Sequence, residues 1–233
     1  MEFYRETKII DGVSYMITAS LFRKTPLLEA CKNNNVELVK LLLKNENLDI
    51  NQGNIFFPSL LHYVIYDNYN EIAEILIKDQ RLNINELTME EDNYLQYACS
   101  CGNYNIVKIL LSNKLIDINH KNIEGNTALH ILSEYNTDNY VNCLKLLFSF
   151  DRYLIMDIKN NNNETALDIA IKSNSTKIID IFNQYQKNKE GISEEFRKEF
   201  DLKILNKNEK FLYACSDGNL ILIKIFLKMK IYK

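Results

Sequence analysis

One stretch of this chain, Thr25 to Asn51, comes back five more times in altered form. Aligned on a small apolar residue of each copy, the repeats centre on Ala30, Val64, Ala98, Leu132, Ala170 and Ala214. The separations are 34, 34, 34, 38 and 44 residues. A period in this range predicts a solenoid, in which each unit buries its apolar face only against its neighbours. The 233 residues then read as one repeat array rather than one or two ordinary domains.

Each copy opens with a first helix. Thr25 is the expected N-cap and Pro26 sits at the first helical position, where a missing N–H costs nothing. Ser59, Thr127 and Thr165 recur as caps. The helix ends four residues after the aligned position, at Asn34, Asn68, Gly102, Asn139, Asn174 and Gly218 (with a three-residue insertion allowed before Asn139). Only Gly and, next, Asn enter the left-handed region cheaply, so these six predict one tight turn with positive φ. The second helices read ELVKLLL, EIAEILI, NIVKILL, NCLKLLF, KIIDIFN and ILIKIFL, apolar on both sides of one central residue. Such helices need cover on two sides, as stacking supplies. The segments LDIN, LNIN, IDIN and IMDI follow, and lead into turns such as HKNIEGNT, where Gly125 suits a positive φ.

At these residues the chain resembles the ankyrin repeat family. The signature T-P-L-H-x-A is matched by Thr25 to Ala30 with the His replaced, and by Thr127 to Leu132 with the Pro and Ala replaced. Ser59 to Val64, Thr165 to Ala170, Asn93 to Ala98 and Glu209 to Ala214 are weaker versions. The resemblance covers roughly 25–184 and 209–227 and implies an all-α ankyrin-repeat solenoid of about six helix-turn-helix units. It also implies protein–protein recognition through hairpin tips and inner helices, without catalysis. Phe57 and Glu91 stand where the family's turn glycine belongs, which predicts distorted second and third hairpins; Asn163 replaces it too but tolerates the left-handed region.

The expected organisation is an N-terminal hairpin or cap over 1–24, five repeats over 25–184, an insertion with a helix over 185–208, and a sixth, C-terminally truncated repeat over 209–233. Asp11-Gly12 between two β-branched runs signals the hairpin. In the insertion, Ser193 reads as a helix cap, with Phe196 and Phe200 on one face. An extended connection with a turn or two of helix is favoured there over a partner-specific protrusion. The last helix, from Asn219, is apolar on most of its circumference, which points either to a truncation or to self-association through that helix.

Composition excludes several functions. A net charge of −3 argues against general nucleic-acid binding, which needs a basic face. No apolar run reaches the ~20 residues that span a bilayer, and MEFYRETK carries no secretory signal. Cys31, Cys99 and Cys215 share one repeat slot and read as small core residues in a reducing compartment, cytoplasm or nucleus. The sequence carries no phosphate loop, no GxGxxG, no HExxH and no GxSxG, so no catalytic residue, cofactor or metal ligand is assigned. His62 and His130 are expected to brace adjacent repeats, His120 to lie exposed in a turn, and Cys99-x-Cys101 lacks a second pair for zinc.

What remains is a protein-binding surface. The tips carry Ile55-Phe56, Met89-Glu90, Ile123-Glu124 and Asn161-Asn162, apolar at the leading position in three consecutive copies and acidic beside it. Repeated exposed apolar residues can form a binding patch, although hairpin-to-hairpin packing would account for them equally. On the inner helices Tyr63, Tyr66 and Tyr97 add aromatic surface; packing explains Tyr63 and Tyr97 better, since Ile131 and Ile169 fill the same slot. The partner-binding set is therefore Ile55, Phe56, Tyr66, Met89, Glu90, Ile123 and Glu124. A scaffold or adaptor is the leading function, and a targeting region of a larger polypeptide with its catalytic or membrane part elsewhere is the alternative.

Overall fold

The first helices of the copies all begin the same way. A side-chain oxygen takes the N–H three residues on: Thr25 from Leu28 at 3.2 Å, and Asn93 from Gln96 at 3.0 Å. Ser59 and Thr165 do the same, and Thr127 closes a capping box with His130. The computed structural model describes residues 5–10, 13–18, 25–53, 57–113, 115–150 and 154–199. It divides into two compact units, Met1–Asn83 and Ile84–Lys233.

In the first unit, strands β1 (Arg5–Ile10) and β2 (Val13–Thr18) pair antiparallel, with Ile10 opposite Val13. The Asp11-Gly12 turn lies outside the described residues. Two helix pairs follow, α1 (Pro26–Lys32) with α2 (Val36–Leu43), and α3 (Leu60–Tyr66) with α4 (Asn70–Lys78). The second helices α2 and α4 pack on each other. The loops beyond them are tied as well: Asn51 Nδ2 donates to Arg81 O at 2.8 Å, and Asn83 N donates to Asn51 Oδ1 at 2.7 Å. The Arg81 guanidinium donates to the carbonyls of Leu43 (3.0 Å) and Asn45 (2.9 Å) at the end of α2. It thereby satisfies acceptors that the helix leaves over.

The second unit holds three copies. They are α5 (Tyr94–Ser100) with α6 (Tyr104–Ser112), α7 (Ala128–Ser133) with α8 (Asp138–Ser149), and α9 (Ala166–Lys172) with α10 (Thr176–Lys187). The inner helices α5, α7 and α9 pack in sequence, as do the outer helices α6, α8 and α10. The core between them is Leu95, Ala98, Ile106, Val107, Leu129, Leu132, Leu144, Leu147, Ala170 and Phe182, all buried. Each large apolar side chain taken out of water contributes about 1.5–3 kcal/mol.

Left-handed turns join the helices at Asn34, Asn68, Gly102 and Asn174, with φ between +48° and +62°. In each, the aligned residue's carbonyl (Ala30, Val64, Ala98 or Ala170) accepts from the N–H five residues on, at 2.9–3.0 Å. This is the Schellman arrangement. Asn139 is a correction. It lies inside α8, and a longer link over 134–137 joins α7 to α8. The extra residues remove the need for a left-handed turn, and Tyr135 stacks on Tyr140 there at 4.1 Å. Gly218 lies outside the described residues.

The insertion is helix α11 (Lys189–Glu199), packed on α8 and α10. Asn188 Oδ1 accepts from Gly191 N at 3.1 Å and so caps it. Ser193 is therefore no cap: it is buried in mid-helix, and its hydroxyl donates to Phe148 O at 3.0 Å, near the end of α8. Phe196 is 4% exposed, below Lys145. Tyr185, the first residue assigned to the insertion, is inside α10 and stacks on Phe148 at 4.1 Å. Phe200 and the sixth copy, with Cys215 and the last helix, lie outside the described residues.

Candidate functional site

The tips of the second unit are three copies of one turn. Thr88 N donates to Asp92 O, Asn122 N to Asn126 O, and Asn160 N to Glu164 O, at 2.9–3.0 Å. Three residues on, Glu91, Gly125 and Asn163 donate back to the carbonyls of Thr88, Asn122 and Asn160. All three have positive φ, +61°, +76° and +62°. The third hairpin is thus undistorted, against the expectation set by Glu91. The side chain at the turn's start holds it: Thr88 Oγ1 accepts from Asp92 N, as Asn122 Oδ1 does from Asn126 N. Phe57 does not enter the left-handed region; its ring instead meets Tyr63 edge-on at 5.4 Å. Gly125 has a second reason for lacking a side chain, because a Cβ there would come within 2.5 Å of Asn161 Oδ1.

Successive tips are joined through the main chain. Ile123 N donates to Glu90 O at 2.9 Å, and Asn161 N to Glu124 O at 2.9 Å. Asn161 Nδ2 adds a bond to Ile123 O. The side chains of Met89 and Ile123 remain in water, 74% and 59% exposed, with Glu90 and Glu124 exposed beside them. Packing between tips is therefore done by backbone and by Asn161, leaving the two apolar side chains uncovered. Ile55 and Phe56 lie outside the described residues. Tyr66, in the first unit, is 59% exposed at the end of α3, its ring 5.5 Å from Phe57. Tyr63 and Tyr97 are half-buried, Tyr63 between Phe57 and Tyr69.

Behind the tips the surface is acidic. Burial pushes the Asp92 carboxyl up, opposed by the 2.8 Å bond from Asn122 Nδ2. Burial also raises Glu134, with Glu124 adding to it. Glu124, Glu134, Tyr135, Asn162, Lys172 and Ser173 line a groove between tips and inner helices. Lys172 there pairs with Glu164 at 2.9 Å and holds that carboxyl below its usual range. His120 is half-buried rather than open, with Nε2 2.8 Å from Glu91 O.

The other two histidines serve the frame. His130 Nδ1 accepts from Thr127 N at 3.1 Å, which places the proton on Nε2, 3.1 Å from Glu164 O in the next copy. His62 Nδ1 lies 3.0 Å from Ser59 Oγ, and burial drives its pKa down to about 4. Sequence reasoning passed over Gln96, which stands in the same slot. Its amide accepts from Asn93 N and donates to Asn126 O at 2.7 Å, the bracing that His130 gives one copy later. The repeat register alone could have found it. Asn160 Nδ2 extends the line to Asn126 Oδ1 at 3.0 Å.

Cys31, Cys99 and Cys143 are free and buried, and burial raises all three, Cys31 and Cys143 to about 12; Cys101 is exposed. Among the described residues no three His, Cys, Asp or Glu gather as metal ligands, and no helix is long and apolar enough to cross a membrane. The arrangement offers apolar anchors with acidic neighbours, chemistry suited to holding a partner.

A family model described as ankyrin repeats (3 copies) matches the chain in four overlapping frames, residues 8–86, 27–122, 61–152 and 97–193. None of the curated proteins compared with the chain matches it.

Proposed function

The chain belongs to the ankyrin repeat family, and on that premise we propose that it is a non-catalytic scaffold or adaptor that grips a protein partner through its hairpin tips and inner helices. The family's repeats are in general protein–protein interaction modules. The observation that carries the reading is the exposure of Met89 and Ile123 on adjacent tips whose backbones are bonded together. A fixed row of apolar side chains can bury itself in a partner without first paying to be ordered. Glu90 and Glu124 favour a partner with basic side chains around an apolar patch. The buried free thiols support a reducing setting, cytoplasm or nucleus.

The test is affinity capture with quantitative mass spectrometry, wild type against Met89→Ser/Ile123→Ser. Loss of captured partner with an unchanged melting temperature is the expected result. Retained capture with a large fall in melting temperature would assign both side chains to packing instead.

A further inference from the structure

The inner helices repeat slot by slot, so what one copy places behind its tip can be compared with its equivalents. The slot of Glu134 holds Lys32, Tyr66, Ser100 and Lys172 in the other described copies, none of them acidic. Tyr135 follows it, in the slot of Cys101 and Ser173. A carboxylate followed by an aromatic ring is thus particular to this copy, where the longer link over 134–137 leaves α7. Both side chains line the groove behind the tips, whose volume is about 410 Å³, inside the range of roughly 300–1,000 Å³ common for binding pockets. Of the carboxylates along it, Glu164 is answered by Lys172 at 2.9 Å. Glu124 Oε2 accepts from Asn126 Nδ2 at 2.9 Å. Among the described residues no lysine or arginine pairs with Glu124 or Glu134. Two negative charges therefore share the groove unanswered, and Glu134 is pushed up by burial first and by Glu124 second. The Tyr135 ring is fixed in advance: it stacks on Tyr140 at 4.1 Å, and the Tyr140 hydroxyl donates to Ser100 O at 2.9 Å.

On the reading of the chain as a protein-binding module, given above, we propose that this groove seats one arginine side chain of the partner, with its guanidinium between Glu134 and Glu124 and against the ring of Tyr135. Charge complementarity names a cation, and the ring and the paired carboxylates name which one. A guanidinium is planar, carries its N–H donors in a fork that can meet two carboxylates, stacks on aromatic faces and sheds water more readily than an ammonium. Lysine would bring the charge without the fork or the plane. A metal ion would need more ligands, and among the described residues no three His, Cys, Asp or Glu gather to hold one. Ile123 adjoins Glu124 and is 59% exposed, so the arginine should stand close in the partner to an apolar residue that covers Ile123.

The test uses the full chain and a library of decapeptides randomised at every position. Peptides enriched on the immobilised protein are resynthesised with a fluorescent label, and their affinities are read by fluorescence polarisation. The expected result is enrichment of arginine beside an apolar residue. Replacing that arginine in the peptide by lysine, or by citrulline, which keeps the shape and loses the charge, should weaken binding by about tenfold or more. Glu134→Gln should erase the preference for arginine over citrulline with an unchanged melting temperature. Glu134→Lys, the residue type that positions 32 and 172 carry in this slot, should do the same and so guards against a fault of the first variant. Met89→Ser/Ile123→Ser should weaken the arginine and citrulline peptides alike. Enriched peptides without arginine, lysine equal to arginine, or a preference that survives both Glu134 variants would each overturn this inference and leave the protein-binding reading standing. No enriched peptide at all would overturn both.

Discussion

His62 is the residue whose chemistry is most displaced by folding. It is fully buried at the fourth slot of the second copy, and its pKa falls from 6.5 to about 4. A depressed folded value means stability that is fully present above pH 6.5 and is lost as pH falls from there through 4. The amount at stake is about 3 kcal/mol. His62→Gln, the residue that position 96 already uses in that slot, should flatten the fall; thermal melts at a series of pH values would show it. Gly102 is the other exposed wager at this scale. It has φ +62°, and a Cβ would meet the Tyr140 ring at 3.1 Å. Gly102→Ala should lose roughly 1 kcal/mol or somewhat more in denaturant unfolding. The turn residues were legible because Gly and Asn are cheap in that conformation. Asn139 misled because an Asn can equally sit in the first turn of a helix, and the longer link before it removed the constraint. Glu91 misled in the opposite direction: Thr88 and the backbone ladder hold it where its own preference would not.

At the scale of elements, two helices depend on a single distant side chain. Arg81 closes the end of α2 through two carbonyls while Asp79 holds its guanidinium by a bidentate pair, at 3.0 and 2.6 Å. Lysine cannot reproduce that planar fork, so Arg81→Lys should destabilise by about 1–2 kcal/mol, read by chemical denaturation. Helix α11 leans on Phe196, and Phe196→Ala should remove about 3 kcal/mol of its docking, seen as faster amide exchange through α11. The sequence showed that a helix lay here but set its start at Ser193. Asn188 offers the same capping oxygen earlier in the chain, and the hydroxyl of Ser193 is taken up by Phe148 O. Rules for caps name residue types; which of two candidates wins depends on the surface that the helix meets, here α8 and α10.

For the molecule, the period of 34 residues carried the fold, and it runs on unbroken from Val64 to Ala98. The division at Asn83 and Ile84 therefore leaves no mark in the spacing. The candidate edge was half legible. Apolar character at Met89 and Ile123 was visible, but their exposure followed only once the tips were seen to bond through main-chain atoms. Charge on that edge gives a further prediction. Glu90→Lys/Glu124→Lys should slow association with the captured partner by about tenfold at low salt, and less at high salt, by surface plasmon resonance. The bonds between tips also separate two duties that many binding surfaces combine. Ile123 and Asn161 donate through their own amides, which every residue but proline possesses. The side chains proposed to meet a partner can therefore change one at a time while the rail beneath them stays in register. An edge built this way can change its clientele without being rebuilt.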